Sequence, residues 1–232
     1  MEINKASDIS ELRDSRNRIE MHPNRFLIAR NIFRSRAFIL TFVALFVLFS
    51  VAEAMSHITR ESEAFLTMST LGSDMKVENY FPKNNNTISV GEHIVWYVNV
   101  HNAMNDPEYV LIKIKLLNST QVMPAYGSNQ TTLEPTILEL PHLVPANATW
   151  IAPLNWTIVE AINQNGHVNI KRMTINGEET AILDSRSVNG QDFRMVLELW
   201  RYNNDSKDFE FGWSSLQDTR NVWNQIWFNV TK

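Results

Sequence analysis

Cysteine is absent from this 232-residue chain. Disulfides, zinc–thiolate sites, iron–sulfur clusters and thiol nucleophiles are excluded, and any domain the chain builds is held by packing alone. Glycine is scarce, at seven residues. Phosphate-cradling loops need clustered glycines, and neither GxGxxG nor GxxxxGK[ST] occurs. GxSxG, HxH and HExxH are missing too, so nothing marks a nucleophile elbow or a helical zinc site. His93 and His101 share one strand face, but eight residues at ~3.3 Å put them about 26 Å apart, far too distant to share an ion. The loop acids Asp205 and Asp208 lack the further ligands of a calcium loop. The expectation is no enzyme, no cofactor and no metal.

One stretch lacks charge altogether. Ala37–Ala52 has none, and its only polar residues are Thr41 and Ser50. With its flank to Ala54 it covers about 27 Å as a helix, close to a bilayer's hydrocarbon core. Bases are just as unevenly placed. Lys5, Arg13, Arg16, Arg18, Arg25, Arg30, Arg34 and Arg36 precede the run, and the next base is Arg60. The positive-inside rule puts the N-terminus in the cytoplasm and the C-terminus outside. Residues 1–36 hold eight bases and five acids, leaving thirteen bases and twenty acids beyond them. The basic arm suits anionic lipid headgroups, and the acidic remainder argues against nucleic acid.

This reading divides the chain into a basic arm (1–23), a juxtamembrane and transmembrane helix (24–60) and an exported domain (61–232). Pro23 suits a helix start, and Arg25, Arg30, Arg34 and Arg36 are the membrane-flanking bases, their stems resting on acyl chains. Ala52-Glu53-Ala54 also fits a signal-peptidase site. Its n-region would be 36 residues, far longer than usual, so an uncleaved signal anchor is the reading taken. Both alternatives export the domain. Asn-x-Ser/Thr tripeptides occur at Asn85, Asn118, Asn129, Asn147, Asn155, Asn204 and Asn229, all beyond the apolar run. They are candidate N-glycosylation sites; the plain alternative is an asparagine-rich surface that is never modified.

After Glu63 the periodicity alternates. Ile94, Trp96, Val98 and Val100 share one face of a strand over Thr87–Val100. Tyr109–Leu117 should pair with it, Val110, Ile112, Ile114 and Leu116 inward, Lys113 and Lys115 outward. Further strands are expected at Glu63–Gly72, Ile137–Leu143, Thr149–Val159, His167–Ile175, Glu179–Leu183, Phe193–Tyr202, Phe209–Trp213 and Val222–Val230. Asn176-Gly177 is a hairpin turn signal. About eight or nine short strands imply an all-β, immunoglobulin-like antiparallel β-sandwich, with a closed barrel as the alternative. All seven tryptophans lie beyond the apolar run. Trp96 and Trp156 fall inward by phase. Trp223 and Trp227 fall outward, and with Trp213 they form a candidate interaction surface for a protein partner or a glycan, unless a loop, residues 160–190 or the membrane-proximal surface covers them.

Phe65-x-x-Met68-x-x-Leu71-Gly72, Asn79-Tyr80-Phe81-Pro82, Val90-Gly91-Glu92 and Val98-Asn99-Val100-His101-Asn102 follow in order. Together with Phe193–Trp200 and Trp223–Val230, they resemble an archaeal family of membrane-anchored exported domains, domain of unknown function 1616. The resemblance spans about Glu63–Thr231. It departs at Asn102, where the family has an acid, and at residues 160–190, which look like an insertion. It implies an archaeal extracytoplasmic module with an immunoglobulin-like fold and hands over no catalytic residue. The expected partners are the lipid bilayer and another envelope or membrane protein, as for an accessory subunit of a membrane complex. A carbohydrate-binding module for envelope glycans is the alternative.

Overall fold

The computed structural model describes residues 36–57, 64–183, 185–214 and 219–231. The expected arm 1–23, the helix start near Asn24, and the bases Arg25, Arg30 and Arg34 lie outside the described residues. The chain divides into two units between Glu61 and Ser62. In the first, α1 (Arg36–His57) is a 22-residue helix, about 33 Å long at 1.5 Å per residue. That is long and apolar enough to cross a membrane. Its two hydroxyls are satisfied inside the helix: Thr41 donates to the Ala37 carbonyl and Ser50 to that of Phe46, each at 2.9 Å. Its apolar side chains are open on every face. A helix that is apolar all round belongs in lipid or among other apolar helices.

The second unit holds fourteen strands among its described residues. They are β1 (Leu66–Leu71), β2 (Thr87–Ser89), β3 (His93–Asn102), β4 (Glu108–Leu117), β5 (Thr136–Val144), β6 (Thr149–Gln164) and β7 (His167–Ile175). Then come β8 (Glu178–Ala181), β9 (Arg186–Val188), β10 (Phe193–Asn203), β11 (Asp208–Glu210), β12 (Trp213–Ser214), β13 (Thr219–Arg220) and β14 (Val222–Thr231). One six-stranded sheet has the order β1-β3-β6-β7-β8, with β9 also beside β7. The other has the order β2-β14-β10-β4-β5, with β11 beside β10. β12 and β13 form a separate pair.

The inner faces of the two large sheets share one core. Ile94, Trp96, Val98 and Val100 of β3, Leu154 of β6, Val110, Ile112 and Ile114 of β4 and Phe193, Met195, Leu197 and Leu199 of β10 have no exposed surface. The aromatic centre crosses between the sheets. Trp96 meets Trp156 edge-on at 5.1 Å, Trp156 meets Phe228 at 5.3 Å, and Phe228 stacks on Phe193 at 5.8 Å. This is the expected immunoglobulin-like sandwich.

Several details differ from the expectations. β2 pairs with β14 in parallel, so the sandwich is not wholly antiparallel. Thr87–Val100 is two strands: Gly91 turns the chain at φ +87°, where an L side chain would be strained. Residues 160–190 are no appendage. β6 runs on to Gln164, and β7, β8 and β9 extend the first sheet. The reversal at Asn165-Gly166 is a two-residue turn with φ of +53° and +76°, the same geometry as the expected turn at Asn176-Gly177. Lys115 is buried, not outward into water, because the 118–135 connection folds back across its face.

Candidate functional site

The outer face of the second sheet carries two of the three residues singled out for interaction, Trp223 and Trp227. Register places Trp227 beside Arg194 and Arg194 beside Leu117; two steps along the face, Trp223 faces Glu198 and Glu198 faces Lys113. Val196 and Lys115 are directly opposite each other. β10 is buried on both faces for seven successive residues, so something must lie on the outside. It is the 118–135 connection.

Polar groups hold that connection. Glu198, with no exposed surface, lies 3.1 Å from the Lys115 ammonium. The same carboxylate accepts the Thr131 hydroxyl at 2.6 and 2.7 Å, the Thr132 amide at 3.1 Å, the Thr132 hydroxyl at 3.2 Å and the Trp200 indole N–H at 3.2 Å. Lys115 also donates to Thr131 Oγ1 and to the Thr132 carbonyl, each at 2.8 Å. All three ammonium hydrogens therefore have acceptors, which a buried charge requires. Arg194 holds the start of the connection by donating to the carbonyls of Asn118 and Gln121. Burial lowers the pKa of its guanidinium. Asn221 donates to the carbonyls of Ala125 and Ser128 at 2.7 Å each. Four side chains, Glu198, Lys115, Arg194 and Asn221, thus fix one long connection by its own backbone and hydroxyls.

The tryptophans are correspondingly engaged. Trp213 is 8% exposed and belongs to the core cluster, so it is not part of an outer surface. The short segment 209–213 has no alternation long enough to give its phase, and a tight turn at Gly212 carries the indole inward. Trp223 is half-buried. Trp227 is exposed at 41%, with the Arg194 guanidinium 4.8 Å over its ring. Trp200 has the Lys113 ammonium at 3.8 Å and Phe211 at 5.8 Å. Trp150 stacks on His142 at 4.3 Å. The expected outward strip reduces to Trp227 with Trp223 beside it. Sequence reasoning missed a separate half-open aromatic group, Tyr109, Tyr202 and Phe209, with ring centroids 5.0 to 5.9 Å apart. Its one available signal is the alternation on β4, in which Tyr109 shares the phase of Lys113 and Lys115.

The motif residues turn out to shape turns. Asn102 has no exposed surface; it donates to the carbonyls of Asp106, Val144 and Pro145 and accepts the Met104 amide. A β carbon on Gly72 would lie 2.1 Å from the Glu78 carbonyl oxygen. Tyr80 donates to the Thr70 carbonyl, and its own carbonyl accepts the Trp96 indole at 2.5 Å. Glu92 accepts the Ser89 amide at 3.0 Å. His93 and His101 bond to Thr157 and Thr149. Among the described residues no group of three His, Asp or Glu converges as a metal would require. Hydrogen bonds from Asn203 and Ser206 hold the Glu210 carboxyl below the usual range. Arg201 and Glu108 form a two-pronged pair at 2.7 Å on each side.

Of the seven acceptor asparagines, Asn85, Asn129, Asn147 and Asn204 are exposed, while Asn118, Asn155 and Asn229 are half-buried. Arg36, the one described membrane-flanking base, is exposed at the first position of α1.

No family model matches the chain, and no curated protein matches it. Among solved structures, it is similar to the CARDB domain of a Pyrococcus furiosus protein solved in complex with di-metal ions, at 10% identity and a TM-score of 0.33, covering 74% of this chain and 97% of that one. It is also similar to part of a Listeria innocua beta-glucosidase solved with glucose, at 8% identity and a TM-score of 0.36; the match covers 73% of this chain but only 16% of the enzyme. Likenesses this distant carry no activity, ligand or metal over to this chain.

Proposed function

We propose that this chain is a single-pass, membrane-anchored protein of the archaeal cell envelope. Its β-sandwich stands outside the cell and serves a non-enzymatic structural or protein-interaction role, as an accessory subunit packed on a larger membrane complex. The observation that carries this reading is α1, a 22-residue helix with apolar side chains open on every face, followed by a domain built as a β-sandwich. The charge imbalance across the helix supports the orientation, and the motif resemblance supports the archaeal placement. The non-enzymatic part rests on how the buried ionic groups are used. Glu198 and Lys115 are committed to each other and to the 118–135 connection, Arg194 to backbone carbonyls and Glu108 to Arg201, which fixes structure rather than offering a reactive group.

The glycan-binding alternative stands on the exposed Trp227 and the half-buried Trp223, since Trp213 is in the core. Extraction in mild detergent followed by native mass measurement tests the leading reading. The expected result is co-migration with one other membrane protein at fixed stoichiometry. A monodisperse, solitary chain overturns the accessory-subunit role. Loss of envelope-glycan binding in Trp227→Ala, with any complex intact, favours the alternative.

A further inference from the structure

The sandwich sorts its seven acceptor asparagines into open and closed. We infer that N-linked glycans are carried on Asn85, Asn129, Asn147 and Asn204, and that Asn118, Asn155 and Asn229 stay bare. The inference rests on the exported placement proposed above. In the transfer, the asparagine Nδ2 attacks the anomeric carbon of a lipid-linked oligosaccharide. A nitrogen–carbon bond forms, the bond from that carbon to the lipid phosphate oxygen breaks, and Nδ2 loses one of its two protons. The lipid phosphate is the leaving group. The folded product must leave Nδ2 uncommitted and give the sugar open space.

Asn147 and Asn204 meet both conditions. Each is exposed in a turn, between β5 and β6 and between β10 and β11. Asn147 has a φ of +53°, the left-handed turn conformation that asparagine tolerates. Asn85 is exposed as well, and its Oδ1 accepts the Thr87 amide at 3.0 Å; the bond uses the oxygen and leaves the nitrogen available. Asn129 is exposed, but the hydroxyl of its tripeptide, Thr131, is bound to Glu198 at 2.6 and 2.7 Å. A transferase that must engage this hydroxyl reaches it only before the 118–135 connection docks, so Asn129 is modified ahead of folding.

The other three fail on geometry. Asn118 Nδ2 donates to the Arg186 carbonyl at 2.9 Å, and its Oδ1 accepts from the Thr120 amide and hydroxyl at 2.9 and 2.7 Å. A sugar on that nitrogen would stand against the backbone of β9. Asn229 Oδ1 accepts the Asp192 amide at 3.0 Å, which leaves the nitrogen available as at Asn85, but the residue is half-buried on β14 between β2 and β10, and that denies the sugar open space. Asn155 is half-buried on β6, flanked by β3 and β7.

Intact-glycopeptide mass spectrometry of the full-length protein, taken from membranes of the cells that make it, tests the sorting. Asn85→Gln, Asn129→Gln, Asn147→Gln and Asn204→Gln should each remove one glycan mass. Asn118→Gln, Asn155→Gln and Asn229→Gln should remove none. A sugar on any of the closed three, or a bare peptide at any of the open four, overturns the inference. External protease separates its failure from that of the exported placement. Sugar-free protein whose domain is digested on intact cells overturns the glycan assignment alone; sugar-free protein whose domain is protected overturns both.

Discussion

At the scale of single residues, Glu198 is the most consequential side chain outside the apolar core. It sits fully buried at the meeting point of β4, β10 and the 118–135 connection. Removing one partner of a buried ion pair leaves the other uncompensated, which costs about 3–5 kcal/mol, whereas replacing both by apolar groups is often far milder. Lys115→Met in the full-length protein should therefore lower stability by about 3–5 kcal/mol. The double variant Lys115→Met with Glu198→Leu should lose much less than the two single losses combined. Chemical denaturation followed by tryptophan fluorescence reads both. Equal and additive losses would mean that the pair does not act as a unit. Asn102 acts in the same way on a smaller scale, using one buried amide to close the loop between β3 and β4. Carbonyl oxygens surround the position, and an amide can donate to them where a carboxylate cannot.

At the scale of elements, the turns show how identical sequence signals carry different weights. Asn176-Gly177 and Asn189-Gly190 both place glycine at positive φ, +88° and +72°. A β carbon at Gly177 would meet nothing within 4 Å, while at Gly190 it would lie 2.2 Å from the Val230 carbonyl oxygen. Gly190 also accepts the Val230 amide at 2.7 Å, so the turn is fastened directly to β14. Gly177→Ala should cost about 1 kcal/mol, the strain of the backbone alone. Gly190→Ala should cost several times more, because backbone must move. Thermal melting of the two variants checks the order, and comparable losses would contradict the packing described at Gly190.

The strands themselves were largely legible. Alternation alone places Ile94, Trp96, Val98 and Val100 inward, and it does the same for β4 and β10, because a face that packs on another sheet must be apolar at every second residue. The 118–135 connection was not legible, since its sequence has no periodicity and its anchors are single polar residues far away in the chain. Two residues hinted at it. Val196 and Leu117 are apolar at outward positions, and a strand apolar in both phases is covered on both sides. Trp213 was misplaced for a related reason: five residues around a glycine turn carry no phase that could be read. The hairpin at Asn165-Gly166 carries the same dipeptide as Asn176-Gly177 and is legible from it.

At the scale of the whole molecule, the two units suit different solvents. The helix satisfies its hydroxyls internally and turns apolar side chains outward on every face, as lipid requires. The sandwich does the reverse, putting its aromatic centre inside and its polar turns outside, as water requires. Residues 1–36 carry eight bases and five acids, and the residues beyond them thirteen bases and twenty acids, an imbalance that the positive-inside rule reads as an N-terminus in the cytoplasm. That orientation is the claim on which the accessory role and the glycan sorting both rest. Protease added to intact cells, with antibodies to each end of the chain, tests it most directly. The account predicts that everything beyond about residue 60 is digested while the arginine-rich front remains as a protected fragment. Digestion of the front with the sandwich intact would contradict it.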